Sequence, residues 1–393
     1  MKNKGGAFGA AYAGPMSEIG IIRYSDAHPI PIASKEVGEP LALAFASSIE
    51  GVRDLFIDKV ESGIVSRDEL RQLRVLLPDQ IPEGSDEQRL LSSVLFVEAL
   101  SDRQMPRKYT LQLMMHASDI LKTKPSQEAF RWLLYAKQTP EGEPLELPDE
   151  LAGPAELWWI YQANDLLHIV YERFFSMILH LLASEPNGVA LSVAAREAAR
   201  LTAGDWARRS WKEYSDAIRL SPNANDASDS ESDIALVRKI CRKPANIEAQ
   251  VNCAAHALQL LAVLLKRTEL HQVAIATVYG KGGLFDREGL QSLLSEQRFL
   301  AGYESRPVEE VIFDLIMKRV IYRHQAIALH KLRTQGDYTF LFEIEEGLAV
   351  RRLPYEPVFT NPRATNALTF LGDLRLVSDE GPTEVGHAWM MAS

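Results

Sequence analysis

Between positions 157 and 182 the chain is apolar on nearly every side of a helix, and no other stretch restricts the fold as much. Its charged residues, Asp165, Glu172 and Arg173, sit near the middle, where each would cost about 2.5 kcal/mol or more at the centre of a bilayer. The segment therefore reads as a helix buried in protein, not in lipid. A second stretch, 246–277, has the same all-round apolar character and reads as a long helix interrupted once. A chain that must bury two such rods on several sides is expected to be mainly α, a multi-helix body with small β-hairpins kept to its two ends.

The remaining properties narrow the function classes. With 393 residues, 46% hydrophobic and 24% charged, the chain has material for two to four domains of ordinary soluble composition. A net charge of −10 argues against a uniformly basic DNA-coating protein. It leaves room for a local basic face, because screening confines charge effects to about 10 Å. Cys241 and Cys253 make neither a disulfide framework nor a zinc site at recognised spacing, so no metal or cofactor is expected. Lys2 and Lys4 precede a Gly/Ala-rich stretch without the apolar core of a signal peptide, so a cytoplasmic location without membrane association is expected.

Four segments follow from the punctuation. Residues 1–50 form a small N-terminal unit, with a short strand at 28–32 and a helix over 36–48 capped by Ser34. Residues 51–150 are helical: Ser66 and Glu69 give a capping-box start, Pro78 stops that helix, and further helices are expected over 86–100, 110–122 and 126–136. This segment closes in an acidic, proline-rich connector at 138–150. Residues 151–304 carry the two apolar rods and a polar, mobile loop at 221–233. Residues 305–393 begin with a helix ending at Gly336. Two strands about Glu345-Glu346-Gly347 follow, then a last helical unit with Asn361 as N-cap and Pro362 at the first helical position.

The ends of the chain echo one another. Glu18-Ile19-Gly20-Ile21-Ile22, followed later by Ser34-Lys35-Glu36-Val37-Gly38, matches Asp373-Leu374-Arg375-Leu376-Val377 followed by Pro382-Thr383-Glu384-Val385-Gly386. Each phrase reads as a helix end, a short strand, a turn, and a Ser or Thr capping a final helix. The phrase resembles the closing part of the winged-helix superfamily, over roughly the last 35 residues and more loosely over 12–48. That resemblance implies that the helix from Ala364 to Leu374 is the recognition helix and that Arg375 with the Ser378–Gly381 turn is the wing. Asp379 and Glu380 would repel phosphate, which favours protein docking over DNA contact.

Two other sets of residues could carry chemistry. Lys318, Arg319, Arg323, Lys331 and Arg333 lie on one helix without an acidic neighbour, and with Arg351, Arg352 and Arg363 they could contact phosphates. The bland alternative is that these cations pair with the chain's own carboxylates. Asp165, His168, Glu172, Ser176 and His180 make one stripe on the 157–182 rod. Asp165, His168 and Glu172 could hold a metal or perform acid–base work, or could be a satisfied hydrogen-bond seam. Asn252 and His256 on the other rod could meet it. The Tyr279–Gly283 loop lacks the Walker pattern, and Gly5–Gly9 lacks a dinucleotide fingerprint. The function expected is thus a non-enzymatic adaptor or scaffold, with protein partners in a bacterial-type DNA-acting complex such as an antiviral defence system. Direct DNA binding is the alternative, and an enzyme built on the 165–172 seam a second.

Overall fold

A computed structural model describes residues 8–28, 30–96, 107–283 and 291–391. The described chain is mainly helical, with three two-stranded antiparallel sheets. It packs as two compact units, one of residues 1–130, 147–154 and 363–393, the other of 131–146 and 155–362.

The second unit holds both apolar rods. The helix Asp149–Ala183 enters it after Pro154 and buries Leu166, Ile169, Val170, Phe174, Met177 and Ile178 completely. The second rod is the helix Ile247–Thr268, capped by Asn246, and it is interrupted once by the 3-10 turn Glu269–His271 before the helix Gln272–Tyr279. Both rods are long and apolar enough to cross a membrane, but 78% and 56% of their most apolar windows lie buried in protein. Trp159 and Trp211 are core residues, as their size requires.

The 221–233 segment differs from the mobile loop expected of its polarity. Ser221, Ala224, Asn225, Ser232 and Asp233 are buried, Asn223 Nδ2 donates to Thr139 O (2.9 Å), and the Ser232 hydroxyl caps the helix Asp233–Ile240. Its polar side chains satisfy the backbone and neighbouring charges instead of facing water. The helix beginning after Pro307 runs through Val308–Asp314, a π-helical stretch Leu315–Ile321, and Tyr322–Gln335, ending at Gly336 with φ +75°. The strands Phe342–Glu345 and Leu348–Arg351 pair about Glu346 and Gly347, whose φ values of +51° and +85° are those of a type I′ hairpin.

In the first unit the terminal echo extends to individual hydrogen bonds. Ile19 N donates to Pro15 O (3.1 Å) as Leu374 N does to Phe370 O (2.9 Å), and Ile21 N to Met16 O as Leu376 N to Leu371 O, both 2.9 Å. Gly20 and Arg375 both take positive φ, +79° and +54°. The strands Ile22–Arg23 and Ile32–Ala33 pair like Val377–Ser378 and Gly381–Pro382. Ser34 Oγ donates to Gly20 O (2.6 Å) and accepts from Gly38 N (2.9 Å). Thr383 Oγ1 donates to Arg375 O (2.7 Å) and accepts from Gly386 N (3.0 Å).

Several element boundaries depart from expectation. The strand expected at 28–32 is confined to Ile32–Ala33, and Pro29 lies outside the described residues. The helix Gly38–Ser48 starts two residues late, because Ser34 holds the amide of Gly38. At the other end Asn361 does not cap: the helix Ala364–Asp373 is preceded by Arg363 in the left-handed region at φ +58°. The capping box at Ser66 forms, but its α-helix stops at Gln72 and continues as the 3-10 turn Leu73–Leu76 before Pro78. The next helix spans Asp86–Leu95, and the remainder of the expected 86–100 helix, from 97 on, lies outside the described residues.

Candidate functional site

The polar stripe on the long rod lies against an extended strap, residues 355–360. Asp165 Oδ1 accepts from Thr360 N (3.1 Å), and its other oxygen takes the guanidinium of Arg131. Arg131 also donates to Gln162 (2.6 Å) and lies over the rings of Tyr161 and Phe359. Two turns on, Glu172 accepts from the Tyr355 hydroxyl, from Val358 N (2.7 Å) and from His168 Nε2 (2.8 Å). Asp165 and Glu172 are buried, so these carboxylates replace lost water with backbone amides, a phenol and a guanidinium.

Chemically this is a clasp. The acceptor oxygens of Glu172 are filled, and its hydrogen bond pushes the pKa of the half-exposed His168 imidazole above its ordinary value. Among the described residues no group of three or more His, Cys, Asp or Glu side chains could hold a metal ion. The two rods do meet, through Ser176 of the stripe together with Arg173 and Gln250. Arg173, fully buried, donates to Gln250 (3.2 Å) and to Arg242 O (3.2 Å), contacts Glu356 (3.3 Å), and shares Ser176 with Gln250. Asn252 is exposed, and burial together with Lys239 pushes the His256 pKa down.

The cationic helix is partly committed within its own unit. Lys318 Nζ pairs with Asp314 (2.9 Å), and Arg319 lies 3.3 Å from the fully buried Glu296 and stacks on Phe299. Burial pushes the Arg323 pKa down. Arg352 pairs with Glu343 (3.0 Å) over the Tyr338 ring. Lys331, Arg333 and Arg351 are exposed, and Arg363, also exposed, belongs to the first unit.

His324 on the same helix faces inward. It packs against Phe175 and Phe342 and accepts from Leu341 N (3.2 Å), and burial pushes its pKa down to about 4. The folded pKa lies below the unfolded value of about 6.5, so this stability is complete above pH 6.5 and is lost as pH falls towards 4. The expected loss is on the order of 2–3 kcal/mol. His324→Gln keeps an acceptor and cannot charge, so its acid-unfolding profile should be flatter over that window; coincident profiles would contradict the assignment.

Sequence reasoning missed two clusters and one surface. Asp233, Arg267 and Tyr135 form a buried ion pair with a phenol, and Glu156, His271 and Lys137 form a second group in which His271 stacks on Trp159 at 3.5 Å. The signal for the first was an Asp opening an apolar helix and an Arg closing another. The surface is the arm at residues 50–80, whose helices Arg53–Ser62 and Arg67–Gln72 bury no residue. It carries a groove of about 590 Å³ floored by Phe56, Val60, Leu70 and Leu73. The charged residues on the groove wall are Lys59, Arg67, Arg71 and Arg74, all cations.

No family model matches the chain, and neither does any curated protein or any solved structure.

Proposed function

We propose that this protein is a non-enzymatic adaptor that docks onto a larger assembly through its first unit. The observation that carries the reading is the arm at 50–80. Val60, on a helix that buries none of its own residues, is 66% exposed, and Ile64, in the loop that follows that helix, is 77% exposed. Apolar residues presented together in this way mark interaction surfaces. Of the cations on the groove wall, Lys59 pairs with Asp58 and Glu69 and Arg71 with Asp68, while Arg67 and Arg74 form no ion pair within 4 Å among the described residues and suit a partner segment with an apolar face and an acidic flank.

Two further features support the reading. The paired end motifs resemble winged-helix units, which serve as docking modules as well as DNA readers, and the turn of the C-terminal one carries the exposed acids Asp379 and Glu380. In the 165–172 stripe the carboxylates are occupied in clasping the strap, which weighs against an enzyme built there.

The test is a tagged full-length chain recovered from native extract at physiological salt, with and without nuclease treatment, beside a Val60→Asp/Leu70→Asp variant. These side chains are exposed, so the variant should fold, with an unchanged circular dichroism spectrum and melting temperature. The wild type should retain a protein partner in stoichiometric amount and the variant at least tenfold less. Equal recovery by both chains, or DNA alone that is lost above about 200 mM salt, would reject docking through this arm.

A further inference from the structure

The first unit contains a cavity of about 780 Å³, within the range of about 300–1,000 Å³ of small-molecule sites. The two echoing motifs face it with equivalent residues. Pro15 and Ile19 line one side, and Phe370 and Leu374, their counterparts in the matched hydrogen bonds, line another. The same offset pairs Tyr12 with Ala367, which also line it. The helices Asp86–Leu95 and Arg107–Leu121 supply further apolar wall through Val94 and Leu111. Filling side chains would be the ordinary way to close a core, so a space of this size between two copies of one motif needs an occupant.

The polar wall indicates what the occupant carries. Arg107 lines the cavity, its Nε is buried without a hydrogen-bond partner, and it forms no ion pair within 4 Å among the described residues. Glu18 attracts it only from farther away. The cavity is also lined by Glu87, which accepts from Ser48 Oγ (2.7 Å), and by the half-buried Asp373, whose pKa burial raises. A guanidinium left partly desolvated and unpaired is costly, and its planar fork matches a carboxylate.

We propose that this cavity binds a long-chain monocarboxylate, with the carboxylate on Arg107 and the hydrocarbon chain between the two echoing helices. The cavity shares Leu76 and Leu77 with the groove on the arm at 50–80, but Arg107 and the two echoing helices lie outside the arm, so the proposal stands whether or not the protein is an adaptor. A single guanidinium suits a singly charged head, and the apolar wall offers a hydrocarbon chain no polar group to desolvate. Affinity should therefore rise about three- to fourfold for each methylene until the space is full.

The test uses the full-length protein and a fluorescent polyene fatty acid as probe, displaced by saturated carboxylates of ten to eighteen carbons (about the range the volume allows) and by the alcohols of equal length. The expected result is saturable probe binding, a rise in affinity with chain length, and at least a tenfold preference for the acid over the matching alcohol. Arg107→Gln should abolish that preference while leaving alcohol binding unchanged. Ala367→Trp should exclude both ligand types. No probe binding, no dependence on chain length, or equal affinity for acid and alcohol in the wild type would overturn the proposal. Those three outcomes need only the wild-type chain, so a variant that failed to fold would not rescue it.

Discussion

Replacing Asp233 by alanine is expected to destabilise the second unit by about 3–5 kcal/mol, the range for removing one partner of a buried ion pair. Asp233 is completely buried and takes the Arg267 guanidinium through Nε (2.9 Å) and Nη2 (2.6 Å), together with the Tyr135 hydroxyl (2.6 Å). It also begins the helix Asp233–Ile240, where a negative charge offsets the helix dipole. Without it Arg267 keeps Ser221 O (3.1 Å), and the Tyr135 hydroxyl loses its acceptor. Asp233→Asn keeps the shape and one acceptor and should cost less. Urea unfolding followed by the near-ultraviolet signal of Trp159, which stacks on Tyr135, reports on this unit directly. A loss below about 1 kcal/mol would mean that the cluster contributes no more than an exposed pair.

The second large effect is expected in the first unit, at the two glycines that follow the caps. A Cβ on Gly386 would lie 1.9 Å from Leu376 O, and one on Gly38 would lie 2.1 Å from Ile21 O. Both acceptors are backbone atoms at the equivalent place in the echo, so neither can swing away. Gly386→Ala and Gly38→Ala should each cost about 3 kcal/mol, the upper part of the overpacking range. Gly14→Ala is the control: it lies inside the helix Ala13–Glu18 with nothing within 4 Å of the added methyl, and should be neutral or stabilising by up to about 1 kcal/mol. Thermal melts of the three variants decide the matter. If Gly38→Ala were harmless while Gly386→Ala was not, the two ends would share a hydrogen-bond pattern without sharing a mechanical role.

What the chain's own order determined was local and periodic. The apolar circumference of residues 157–182 and 246–277 required buried rods, and the caps at Ser66, Asn246 and Thr383 form as their side chains allow. The echo between residues 18–38 and 373–386 was legible because helix ends, positive φ and caps depend on neighbours a few positions away. Boundaries moved where a cap acted at a distance, as when Ser34 delayed the start of the helix Gly38–Ser48.

Tertiary structure decided what the polar residues do. Asp165 and Glu172 were visible as a stripe, but their partners Thr360 and Val358 lie nearly two hundred positions away. The same holds for Arg319, whose counter-charge Glu296 comes from another helix, and for Asp233, whose polar surroundings in sequence concealed its burial. The cavity lies between residues from opposite ends of the chain and had no sequence signature. A side chain's period is set by the covalent backbone and can be read along it. Its desolvation and its counter-charge are set by which distant segment packs against it, and only the folded chain contains that information.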